Sequence, residues 1–140
     1  MKIVKQSEVV KQTVEMEGVK GVQRQLMIGS KDGAPNFSFR IFTIHGNGHT
    51  PYHTHEFEHV NYALKGKGYI VDADGNENEF NEGDFAIIPP NEKHQFRNAS
   101  KFKNACLVMS SSLSILNLKP WSDWMITLKN NHDPLLQPIT

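Results

Sequence analysis

The chain has 140 residues, enough for one domain with a single sizeable core, and its 15 lysines and arginines balance 15 aspartates and glutamates. Net charge near zero argues against a nucleic-acid surface and against an acidic disordered tail. One cysteine excludes an intramolecular disulfide, the first residues carry no apolar run of signal-peptide length, and no stretch approaches a membrane span. The expectation is a soluble cytoplasmic protein.

Residues 1–20 are polar with scattered valines and read as a short strand or an arm. Val22 to Ile28 reads as the first full strand, with Val22, Arg24 and Leu26 on one face and Gln23, Gln25 and Met27 on the other. Residues 29–35 have loop composition. Phe37 to Ile44 is aromatic and β-branched, the mark of a strand, and Gly46, Gly48 and Pro51 are expected to break it.

A histidine cluster follows: His53, His55 and His59. On an unbroken strand these positions share one face, where their imidazoles could hold one metal ion. Val60 to Leu64 continues as a strand to a tight turn at Gly66-Lys67-Gly68. Tyr69 to Val71 and Glu77 to Phe80 form a hairpin about the Asp74-Gly75 pair. After a turn at residues 81–84, Phe85 to Ile88 reads as a short buried strand ended by Pro89-Pro90. His94 to Asn98 and Ala105 to Met109 are two more strands. Short strands with turns between them, from about residue 22 to 109, point to an all-β sandwich or barrel. The tail differs. Trp121, Trp124, Met125 and Leu128 form a helical stripe after Pro120, read as a short C-terminal helix that docks on the barrel, covers its mouth or meets a second subunit.

The order and spacing of two motifs resemble the cupin family. The first is Gly48, His53, His55, His59 and Gly66 or Gly68; the second is Gly83, Pro89, His94 and Asn98. The family usually has glutamate where this chain has His59 and often glycine where it has Asn91, and Gly48 stands one residue closer to His53 than the family pattern. Glu58 is no substitute, because a one-residue shift turns a side chain to the other face. The chain is similar to a subset of small, single-domain cupins with four histidines, including the Ala34-Pro35-Asn36-Phe37 lead-in. The resemblance implies a double-stranded β-helix, or jelly-roll barrel, with its core at about 35–110, an N-terminal arm at 1–20 and a C-terminal extension at 118–140. It also implies a homodimer and one divalent metal held by His53, His55, His59 and His94.

Four neutral imidazoles leave the metal its full +2 charge, which favours an anionic ligand. Zinc, manganese, iron, nickel and copper all fit imidazole, with open coordination positions expected. Tyr52, Tyr69 and Asn61 are candidate polar neighbours. Arg40 suits a substrate carboxylate, although the parity of its strand leaves its face open and an exposed arginine is the ordinary expectation. Cys106 reads as a small buried hydrophobe, and His45, His49 and His132 as surface or loop residues. No helix-turn-helix pattern flanks the strands. The expected function is a metal-dependent enzyme acting on a small carboxylate or enolate, of dioxygenase, lyase or isomerase type. The alternative is a non-catalytic metal and ligand binder, which the lack of an evident proton carrier favours.

Overall fold

The computed structural model describes residues 1–112, and the expected C-terminal helix lies outside them. Among the described residues nine strands are formed: β1 (Gln12–Thr13), β2 (Lys20–Ile28), β3 (Phe37–His49), β4 (His59–Lys65), β5 (Lys67–Val71), β6 (Glu77–Asn81), β7 (Phe85–Ile88), β8 (Gln95–Asn98) and β9 (Ala105–Ser112). All pairings are antiparallel, and they wrap into an all-β jelly-roll barrel. One side runs β1-β2-β3-β9-β4-β7, and the other runs from the end of β3 through β8 and β5 to β6. No helix among the described residues is long and apolar enough to cross a membrane.

β3 joins the two sides. Its first half pairs with β9 from Phe37↔Ser112 to Ile44↔Ala105, and its last residue pairs with β8 at His49↔Arg97. Gly46 and Gly48 therefore do not end this strand, contrary to expectation. A Cβ on Gly46 would fall 2.1 Å from the Lys101 carbonyl oxygen, and one on Gly48 would fall 2.7 Å from that of Lys20. Both glycines let backbone approach backbone where the strand changes sheets, and Asn47 between them takes a positive φ of 60°.

Val22, Ile44, Ala63, Phe80, Ile88, Phe96 and Leu107 form the core. The Phe80 and Phe96 rings lie 6.1 Å apart, each burial contributing roughly 1.5–3 kcal/mol. β7 is not the buried strand expected. It lies at the sheet edge, with Phe85 76% and Ile87 66% exposed and Ile88 turned inward. A continuous apolar run does not say which of its faces is covered. The N-terminal arm is fastened to β2 by β1 and by Gln25, whose side-chain amide donates to the carbonyls of Gln6 (3.1 Å) and Val9 (2.7 Å).

Candidate metal centre

Three different local structures bring the histidines together. His53 and His94 face each other in an isolated antiparallel bridge, exchanging backbone hydrogen bonds of 3.1 and 3.0 Å. His55 lies in the loop beyond it. The Asn91 amide donates to its carbonyl at 2.7 Å, and its ring stacks on Phe57 at 4.4 Å. Asn91 has a φ of 63°, which accounts for the glycine common at this position in the resemblance. His59 opens β4, directly opposite Ile88. The cluster is thus not one strand face, since residues 54–58 form no strand. The loop brings the rings together instead.

His53, His55 and His94 each place a ring nitrogen within 4.8 Å of the others. With metal–nitrogen bonds of about 2.0–2.1 Å, ligand nitrogens stand at most about 4.2 Å apart, so small side-chain adjustments suffice. His59 stands beside this triplet, its ring centroid 3.9 Å from that of His55 and 5.7 Å from that of His94.

The hydrogen-bonding state of these rings suits a metal. His55 Nδ1 donates to the Phe57 carbonyl at 2.6 Å, and His94 Nδ1 donates to that of Glu92 at 2.8 Å. Each bond fixes a tautomer whose Nε2 keeps its lone pair. His55 Nε2 and both ring nitrogens of His59 are buried without a hydrogen-bond partner. Burial, then the neighbouring imidazoles and Arg40, pushes His53 down to about 3. Burial and His94 take His55 to about 4. His59 is lowered well below the usual imidazole value, first by burial and then by His55 and Arg40. Burial lowers His94 as well, against the opposing Glu92 carbonyl. All four rings are neutral at pH 7, and the donor set of His53, His55 and His94 fits a divalent cation.

His53, His59 and His94 open onto a cavity of about 410 Å³. Arg40 lines it and is 4% exposed, which overturns the ordinary expectation of a surface arginine. Phe37 and Phe39 face outward on β3 while Ser38 and Arg40 face in, so here the apolar residues do not mark the core side. Burial, then Arg24, lowers Arg40 to about 9, still cationic at pH 7.

The other three candidates are placed differently. Tyr69, on β5, is half-buried and off the cavity wall. Tyr52 does not line the cavity; its phenol donates to the Asp72 carbonyl and its ring carries the Lys93 ammonium at 4.3 Å. Asn61 shares the inner face of β4 with His59 and is fully buried, but it too lies off the cavity wall. Glu58 is half-buried and also off that wall. Cys106 is half-buried, with Sγ 3.7 Å from Thr43 Oγ1. His45 and His49 are half-buried on β3 and hydrogen-bonded there, His45 between Asn104 and Gln23. His132 lies outside the described residues.

Sequence reasoning missed Arg24, which lines the cavity and is 5% exposed, and the arm from Gln12 to Val19, which forms one of its walls. The alternation that places Arg24 on the face of Val22 was the available signal.

A family model described as the cupin domain matches residues 40–110. The chain belongs to the cupin family. No curated protein sequence matches it. Among solved structures, this cupin is similar to the polyketide cyclase RemF from Streptomyces resistomycificus, at 31% identity and a TM-score of 0.75 over 80% of this chain and 79% of that one. It is also similar to a predicted oxalate decarboxylase from Thermotoga maritima (20% identity, TM-score 0.71, 80% of this chain and 99% of that one). A third is KdgF from Halomonas sp. (17% identity, TM-score 0.66, 79% and 94%). At these identities the last two establish the fold alone. Asn98, of the second motif, serves the cupin barrel as a bracket: its side-chain amide donates to the carbonyls of Ile44 (2.8 Å) and Lys103 (2.7 Å).

Proposed function

We propose that this cupin is a metal-dependent enzyme acting on a small anionic substrate, a carboxylate or an enolisable carbonyl compound, by lyase- or isomerase-type chemistry that includes cyclisation. The observation that carries this reading is the convergence of neutral imidazoles on one end of an apolar cavity that also holds a buried arginine. His53, His55 and His94 are the first three ligands, and His59, with both nitrogens unpartnered beside His55, is the fourth. A divalent metal held by them would supply Lewis acidity toward a substrate carbonyl. The carbonyls of Phe57 and Glu92 hold two of the rings in the required tautomer. Arg40 orients the anionic substrate and offsets charge that develops on it. Val22, Phe42 and Phe96 line the cavity and keep water from the reacting carbonyl. The likeness to a polyketide cyclase, whose name implies carbonyl substrates, supports the same class.

One observation favours a non-catalytic binder as a second reading. Among the described residues lining the cavity, Glu15 is the single carboxylate, and it is exposed. The test is ketonisation of phenylpyruvate enol, followed by its ultraviolet absorbance. The metal-loaded protein should accelerate it, and His53→Ala and His55→Ala should abolish the acceleration. Tight binding of phenylpyruvate without acceleration would establish the binder instead.

A further inference from the structure

The cavity holds two buried cations, and chemistry at the histidines uses only the nearer. Arg24 on β2 stands opposite Phe42 and Arg40 on β3 opposite Leu26, so the two are diagonal neighbours on one inner face. Arg24 Nη2 donates to Oε1 of Gln12, a neutral acceptor, at 2.8 Å, and Gln12 is the residue paired with Arg24 across β1 and β2. The groups form a series. Arg40 acts electrostatically on His53, His55 and His59, while Arg24 acts on Arg40. The cavity therefore leads from the imidazoles past Arg40 to Arg24 and the N-terminal arm. Val14, Met16, Val19, Phe42 and Phe96 line it as an apolar wall. Two buried guanidinium groups side by side on a cavity wall present forked donors that match the two oxygens of a carboxylate.

We propose that Arg24 and Arg40 form an anion-binding subsite beyond the histidines, and that the ligand is two-headed. One oxygen-bearing head meets the histidine cluster, an apolar body about the size of one or two aromatic rings fills the cavity, and a carboxylate is gripped by the arginines. The first head rests on the metal-dependent reading above; the arginine head does not.

The experiment separates the two. Chelator-treated full-length protein is titrated calorimetrically with 2-naphthoate and with its neutral isostere 2-naphthamide. The carboxylate should bind at least about tenfold more tightly. Arg24→Gln should remove that preference, and Arg24→Lys should retain part of it. Metal-loaded protein is then titrated with 2,6-naphthalenedicarboxylate, which should gain about a further tenfold over the monocarboxylate. Equal affinity of the wild type for naphthoate and naphthamide overturns the subsite, whatever the metal does, and needs no variant to fold. An undiminished preference in Arg24→Gln overturns the assignment to Arg24. A carboxylate preference in metal-free protein with no gain by the dicarboxylate on metal loading keeps the arginine subsite but removes the two-headed ligand, and counts against the metal-dependent reading.

Discussion

The buried imidazoles make a quantitative claim about the metal-free protein in mild acid. His53 and His55 sit near 3 and 4 in the folded state, chiefly because burial penalises their charged forms, against about 6.5 in an unfolded chain. Below pH 6.5 the unfolded state takes up protons that the folded state refuses, so stability falls with pH until the folded values are reached. Above pH 7 both states are neutral and nothing is lost. At pH 5.5 each of these two histidines costs about 1.4 kcal/mol, together about 3 kcal/mol. His59 and His94 shift in the same direction and add to the loss. Urea unfolding in the presence of chelator, followed by circular dichroism at pH 7.5, 6.5 and 5.5, measures it. The carboxylates held low, Asp32 by Lys2 and the Gly29 amide and Asp72 by the Asn76 amide, titrate below this window and do not blur it. The double variant His53→Gln, His55→Gln should lose about 3 kcal/mol less than the wild type over the same interval. If the wild type is equally stable at pH 7.5 and 5.5, or if the double variant keeps the full slope, the rings are not buried and neutral and the reasoning fails.

Metal analysis should find one divalent ion per chain, with content cut sharply in His53→Ala, His55→Ala and His94→Ala but the barrel's circular dichroism retained, because none of these histidines belongs to the apolar core cluster. Full occupancy in His59→Ala would remove His59 from the ligand set. His59→Glu lowers the charge of the site by one, so calorimetry should show the metal retained and oxalate bound more weakly; equal affinity would mean that site charge does not select the ligand. We also propose a homodimer. Sedimentation at tens of micromolar, roughly the scale of an ordinary weak dimer, should show twice the chain mass, and Phe85→Glu on the exposed edge strand should shift it toward monomer. A wild-type monomer at that concentration would refute this.

Those parts of the molecule that obey local chemistry were legible in the sequence. The His-x-His pair, the distant His94 and the glycine turns at Gly66 and Gly83 impose their requirements within a few residues, and the fold class followed from strand and turn spacing. What escaped depends on partners far along the chain. Gly46 and Gly48 look like strand breakers, but their role is close approach to Lys101 and Lys20. Phe85 and Ile87 read as core because their own segment does not say that β7 ends the sheet. Arg40 reads as surface, and Arg24 carries no site reading at all, because only a cavity makes room for buried charge. The arm reads only as a short strand or an arm, with no part in the site, since a two-residue strand has no periodicity to detect.

The place of β9 bears on how the chain is made. β9 inserts between β3 and β4, pairing Phe42 with Leu107 on one side and Ala63 with Leu107 on the other. Until residues 105–112 have left the ribosome, two strands that end as interior neighbours both present open edges, and the histidine-bearing β4 has no bridge to β3 through β9. Such edges are templates for pairing with other chains, and closure across more than sixty residues of sequence is slow compared with hairpin formation. The nascent protein therefore passes through a stage in which β5–β6 can already be a hairpin while the barrel is still split. Translation rate and chaperone access over that interval therefore bear on yield.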